Sequence, residues 1–328
     1  MSTTTTQKPL MTGQKVTSNT AKTAAVTDSS GPSSQPSRSL WSDSMRRLRK
    51  NKAAVVSGIF IGLVTLIAAT APWIAPYSFE EQNIDRLLQS PNAQNWLGTD
   101  ALGRDMLSRI IYGARMSMAV AYLTSIVSLV LGLLYGAASG WFGGRVDRML
   151  MRIVDILNTL PEIVLLILVK VVFDSLALFE NPEVKALIGM FLALSITGWL
   201  NMARLVRGQV LQARELLFVE AATALGVPAR RILMKHILPN IMGPIIVTLT
   251  FQIASAVLLE SFLSFIGLGL QPPFSSWGVL ASEGWKSIKT FPHLIIYPGI
   301  AIFLTMLAFN LFGDGLRDAF DPKMKNRG

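Results

Sequence analysis

Six stretches of the chain stay apolar for longer than the core helix of a globular domain requires. They fall near residues 53–75, 117–140, 153–173, 186–206, 241–267 and 294–312. Each reaches the roughly 20 residues that an α-helix needs to cross a hydrocarbon core about 30 Å thick. The runs are continuous and lack the strict alternation of a strand facing lipid on one side and water on the other, which argues against an outer-membrane barrel. In lipid every peptide N–H and C=O must find its partner inside its own segment, so these runs predict helices. The predicted fold class is all-α, a polytopic membrane protein with six transmembrane helices. Pro161 removes a backbone donor within the third run and predicts a kink there. In the polar connection over residues 76–115, Asp100 is placed to cap a short amphipathic helix reaching about Tyr112, with Leu102, Met106, Ile110 and Ile111 on one side.

Composition agrees with this class: 51% of the 328 residues are hydrophobic and 15% charged, too few charges to cover a soluble domain. Residues 1–40 differ, holding 17 Ser or Thr and no aromatic residue, and are expected to be a disordered cytoplasmic tail. Lys and Arg are unevenly distributed between the connections. Eighteen lie on the side that includes Arg46, Arg145, Arg230 and Arg317, and seven on the side that includes Arg86, Arg104 and Lys286. The positive-inside rule therefore places both termini and the 204–240 connection in the cytoplasm, and the 76–115 connection outside. The net charge of +10 is read as topology and contact with anionic lipid, with no nucleic-acid partner. The chain has no cysteine, and its two histidines, His236 and His293, fall on opposite predicted sides. Neither a metal site nor a catalytic constellation is expected.

The 204–240 connection carries the most chemistry. Residues 214–225 are good helix formers, Gly226-Val227-Pro228 stops one helix and restarts another, and residues 229–237 resume before Pro239. Two short helices meeting at a bend are expected. Ala221 and Ala222 lack bulk and admit close approach of another protein's backbone, while Glu220 offers a carboxylate to its donors.

Glu220-Ala221-Ala222, Gly226 and Leu238-Pro239 together resemble the Glu-Ala-Ala loop of membrane subunits of ATP-binding-cassette importers. Further blocks resemble the C subunit of oligopeptide permeases over about residues 39–325. Among them are Leu97-Gly98-Thr99-Asp100, Gly143-Gly144-Arg145-Val146-Asp147, Met202-Ala203-Arg204 and Glu260-Ser261-Phe262-Leu263-Ser264. The resemblance implies a type I importer permease domain over residues 41–328 in a bacterial inner membrane. It implies a homologous second permease subunit, two ATPase subunits docked on the Glu220 loop and an extracytoplasmic peptide-binding protein as partners. ATP and Mg belong to those ATPases: the chain has no G-x-x-x-x-G-K-[ST] phosphate loop and no cofactor of its own is expected. Dipeptides or nickel are alternative cargoes within the family. Asn201 stands where relatives often carry Asp, and the link at residues 174–185 is longer than the family pattern.

Glu162, Lys170 and Glu260 are the candidate functional residues among the ionisable groups inside the predicted spans, where each costs about 2.5–3.5 kcal/mol on insertion scales. Glu260 and Glu162 are the candidate pathway residues, Glu260 in an outer vestibule. Glu162 and Lys170, two turns apart, are equally readable as a contact to a neighbouring subunit and a side chain snorkelling to the outer headgroups. Ser261 and Ser264 are expected to bond across helices. An ion-driven secondary transporter is the rival reading; it requires inverted repeats, and none is visible.

Overall fold

The computed structural model describes residues 40–176, 179–270 and 274–321. The expected tail at residues 1–40 lies outside the described residues, apart from Leu40. Among the described residues the chain is helical, with one isolated bridge between Thr99 and Asp105 and no strand.

The helices are α1 (Leu40–Lys50), α2 (Lys52–Ile74), α3 (Met106–Phe142), α4 (Gly144–Asn158), α5 (Glu162–Ser175) and α6 (Pro182–Arg214). They continue with α7 (Leu217–Ala224), α8 (Ala229–Ile232), α9 (Leu238–Phe265), α10 (Trp277–Trp285) and α11 (His293–Phe320). Five helical stretches are long and apolar enough to cross a membrane: α2, α3, α6 from Val184, the continuous run Ala229–Phe265, and α11. The sixth span is broken. α4 and α5 meet at 90°, where the predicted run over 153–173 had only a kink. The break sits at Thr159 and Leu160, and Pro161 is the N-cap of α5. The two halves differ in pattern. α5 is mostly apolar, with Glu162 at its start and the paired Lys170 and Asp174 near its end, whereas α4 alternates Arg145, Arg148 and Arg152 with exposed Met149, Ile153 and Ile156, as an interfacial helix does.

The outer connection also departs from expectation. No separate helix starts at Asp100. Asp105 is the N-cap, its side chain accepting from the Ser108 N–H at 2.8 Å, and α3 runs unbroken for 37 residues through both the expected surface helix and the second span. Asp100 instead closes a turn, accepting from the Leu102 and Arg104 N–H groups, and pairs with Arg104 and Arg109. Both arginines reach Glu283 of α10, so the 1% exposed Arg109, which reads from sequence as a loop cation, is locked inside the end of the bundle where α3 begins.

Apolar side chains gain little from meeting each other in lipid, so these helices pack through small residues and close backbone approach. Gly132, Gly136 and Gly140 form one edge of α3 against α6: a Cβ added at Gly136 would lie 2.4 Å from the Ala203 carbonyl oxygen and 2.8 Å from the Val206 Cβ. α2 packs on α3 and α11, and a Cβ at Gly315 would strike Ala54 at 2.3 Å. At the opposite end Arg207 grips Asp147 with two of its guanidinium nitrogens, Ser139 donates to the same carboxylate, and Arg204 pairs with Asp155. These bonds tie α3, α4 and α6 together beneath the groove between α3, α6 and α9.

Candidate functional site

The connection from α6 to α9 is a compact elbow. α6 ends at Arg214, and two non-helical residues turn the chain into α7, a shorter helix than the 214–225 stretch that propensity predicts. The end of α7 satisfies its free carbonyls with a Schellman motif: Gly226 N–H donates to the Thr223 carbonyl at 3.0 Å and Val227 N–H to the Ala222 carbonyl at 3.1 Å. Gly226 takes φ +73°, and no atom lies within 4 Å of where its Cβ would be. Backbone conformation, not space, therefore requires glycine there. Pro228 then caps α8, and Leu233–Ile237 forms a π-helical turn in which Leu238 N–H reaches back to the Leu233 carbonyl. Pro239 explains that turn. It has no N–H for the Lys235 carbonyl and its ring would crowd it, so the helix widens just before the proline.

The elbow has two faces. Val219, Ile232 and Ile237 are buried, and with Ala222, Val227 and Leu238 they pack against Val206, Val210 and Ala213 of α6, Ala137 of α3 and Ile241 of α9. Glu220 and Ala221 are exposed on the other face. Around them Leu217 is 82% and Leu225 83% exposed, with Phe218 also open. The Glu220 carboxylate makes no bond with the described residues and borders a cavity of about 540 Å³ shared with Trp141, Arg214, Glu215 and Thr223. Arg214 is fixed beside it, donating to the Gly140 carbonyl at 3.0 Å with its guanidinium 5.6 Å from the Trp141 ring centre. A carboxylate ringed by exposed apolar side chains on a polar connection has the composition found at docking surfaces.

All six motif residues thus share this elbow: Glu220 and Ala221 on the open face, Ala222 between, Gly226 at the turn, and Leu238 and Pro239 where it re-enters the bundle. Trp141 and Arg214 were not legible as members of the site. Arg214 is the last residue of α6, whereas helix propensity puts it at the start of the next helical stretch.

The two intramembrane carboxylates lie elsewhere and apart. Glu260 has no exposed surface, in contrast to the vestibule position expected for it. It accepts from Ser117 of α3 at 2.8 Å, Ser264 at 2.9 Å and Ser261 at 3.3 Å. Ser117 also accepts from the Trp277 N–H, so the cluster staples α10 onto α3 and α9. Ser261 and Ser264 serve their own helix, and Ser117 makes the cross-helix bond. Replacing Glu260 with Ala leaves these hydroxyls without their acceptor, at about 1–3 kcal/mol for each one stranded. Glu260→Ala is expected to lower the thermal midpoint of the detergent-solubilised protein by several degrees, and Glu260→Gln by less; equal midpoints for both variants and the parent would contradict the staple.

Lys170 does not snorkel. It is 2% exposed and pairs with Asp174 one turn on, a counter-ion at i+4 that removes the need to reach the headgroups. Glu162 is exposed at the start of α5 and touches a polar cavity between α3, α6 and α9.

Comparison with known proteins agrees with this geometry. Residues 128–326 match the family described as binding-protein-dependent transport system inner membrane component, and residues 39–91 match the N-terminal TM domain of oligopeptide transport permease C. The chain is 42% identical over 292 residues to the oligopeptide transport system permease protein OppC of Bacillus subtilis, covering 89% of this chain and 92% of the relative. It is 42% identical over 293 residues to the dipeptide transport system permease protein DppC of the same species, covering 89% and 88%. A solved structure of the MetNI methionine ABC transporter, inward facing, superimposes with a TM-score of 0.50 at 17% identity, covering 64% of this chain and 97% of that one; it supports the type I importer permease fold. With the family match spanning more than half the sequence and these relatives spanning nearly nine-tenths of it, the chain belongs to the binding-protein-dependent transport system inner membrane components.

Proposed function

We propose that this chain is one membrane half of an ATP-driven importer for oligopeptides in a bacterial inner membrane, with both termini and the elbow in the cytoplasm. Its partners are a homologous permease subunit, two ATPase subunits that bind ATP and Mg, and an extracytoplasmic peptide-binding protein. The observation that carries this reading is the two-faced elbow. Its outer face offers Glu220 and Ala221 amid exposed Leu217 and Leu225, and its inner face is packed on α3, α6 and α9. Motion of a docked ATPase is passed on because a close-packed interior transmits displacement with little compliance. The names of the relatives, oligopeptide and dipeptide permeases, support a peptide cargo.

The chain has no cysteine of its own, so a single Ala221→Cys substitution supplies a unique reactive site. In the complex assembled with its cognate ATPases, this thiol is expected to crosslink to an ATPase subunit through a short bifunctional reagent, with a yield that changes on adding ATP. A control thiol at the extracytoplasmic Ser287 should give no such product. Crosslinking to the ATPase from Ser287 and not from Ala221 would invert the topology and remove the docking assignment.

A further inference from the structure

At mid-depth of the bundle, polar residues from three helices converge on one cavity of about 230 Å³. Ser125 and Ser128 come from α3, Asn201 from α6, and Gln252 and Ser255 from α9. Each lies near the middle of a span: Ser125 and Ser128 are the 20th and 23rd of the 37 residues of α3, and Gln252 and Ser255 are the 15th and 18th of the 28 of α9. Glu162, at the start of α5, is the one ionisable residue on the wall.

The polar groups are not consumed by the fold. The Ser125 and Ser128 side chains are each 1% exposed, yet neither hydroxyl has a hydrogen-bond partner. Gln252 spends its amide N–H on the Gly198 carbonyl at 3.1 Å, and its side-chain oxygen has no hydrogen bond to the described residues. A hydroxyl without a partner inside a membrane is costly, and helices that only packed against each other would carry Ala at these positions. Gly198 keeps the floor open: a Cβ there would lie 2.5 Å from the Ser128 hydroxyl and 2.7 Å from the Gln252 amide nitrogen.

We propose that this groove is the chain's half of the translocation path, and that it receives the main chain of the cargo through uncharged hydrogen bonds. The inference rests on the importer reading above and deepens it by naming what the path recognises. A peptide presents one N–H and one C=O per residue, and stripping these of water without replacement costs several kcal/mol apiece in an apolar medium. Hydroxyls and carboxamides donate and accept at once, so they replace water for either group. Because five of the six polar wall residues named here carry no charge, the groove offers the main chain its bonds without sorting side chains by charge.

Two measurements on the assembled transporter in proteoliposomes test the proposal. Cysteines placed singly at Asn201, Gln252 and Ser255 are expected to react with a membrane-impermeant maleimide, and transported peptide should slow the reaction. Cysteines at Leu63 and Leu66, exposed apolar positions of α2, should react at least tenfold more slowly. Separately, Ser125→Ala combined with Ser128→Ala should raise the KM for peptide uptake several-fold with an unchanged thermal midpoint, because no bond within the fold is lost. Equal labelling at groove and α2 positions, or an unchanged KM in the double variant, would overturn the proposal. Either result would leave the Ala221 crosslink intact, so failure of the path is distinguishable from failure of the docking assignment.

Discussion

Reversing the charge at Glu220 is expected to abolish coupled uptake while the chain still inserts and folds. Glu220 is exposed, has no bond to lose among the described residues, and stands on the open face of the elbow. Glu220→Arg therefore leaves the packed face of Val219, Ile232 and Ile237 intact, and the thermal midpoint of the isolated subunit should move by less than about 1 °C, as for a surface change. At a docked interface the same change places a cation where the partner presents donors. A hot-spot loss of about 2 kcal/mol or more weakens docking by about thirtyfold. Uptake of labelled peptide into proteoliposomes should fall by at least that factor, and the ATPases should lose their response to binding protein and peptide. Leu217→Ser with Leu225→Ser, which strips the apolar rim, should act in the same direction. Normal uptake by both variants would show that the elbow does not carry the coupling.

The second large effect concerns the α3 and α6 contact. Gly136→Val should prevent stable accumulation of the protein. The added Cβ falls 2.4 Å from the Ala203 carbonyl oxygen and 3.0 Å from the Arg207 backbone nitrogen, and backbone atoms on both helices cannot swing aside as a side-chain tip can. The helices must separate, which costs about 3 kcal/mol or more in overpacking alone and pulls Arg207 away from Asp147. Membrane-inserted protein measured by immunoblot should drop severely, and what remains should melt at a lower temperature. Gly62→Val in α2 is the control. No atom lies within 4 Å of its Cβ position, so accumulation should match the parent. A parent-like level of Gly136→Val would mean that the glycine edge of α3 is not a packing surface.

The elbow was more legible than the membrane interior for a local reason. The stop at Gly226, the restart at Pro228 and the widened turn before Pro239 each follow from the conformational limits of one residue, and those limits travel with the sequence. Glu220 and Ala221 were readable as candidates for an open face because they are polar or small where neighbours are apolar. Their exposure beside Leu217 and Leu225 was not readable, since those two leucines have the composition of core residues. Glu260 shows the opposite case. A carboxylate inside a span suggested a water-facing wall, whereas Ser117, 143 positions away in sequence, helps to satisfy it in a closed interior.

By itself the sequence determined the membrane class, the approximate spans and the family pattern of the elbow's motif. Hydrophobicity per residue and backbone propensity are properties of short segments, so they survive without coordinates. Tertiary structure alone decided that α3 begins at Met106, that α4 and α5 part at 90°, that Arg109 is neutralised by Asp100 and Glu283, and that unbonded Ser125 and Ser128 share a groove with Gln252. Each depends on which distant segments meet. In a bilayer every apolar helix face is equally content against lipid, so steric fit and buried polar bonds between remote residues make that choice.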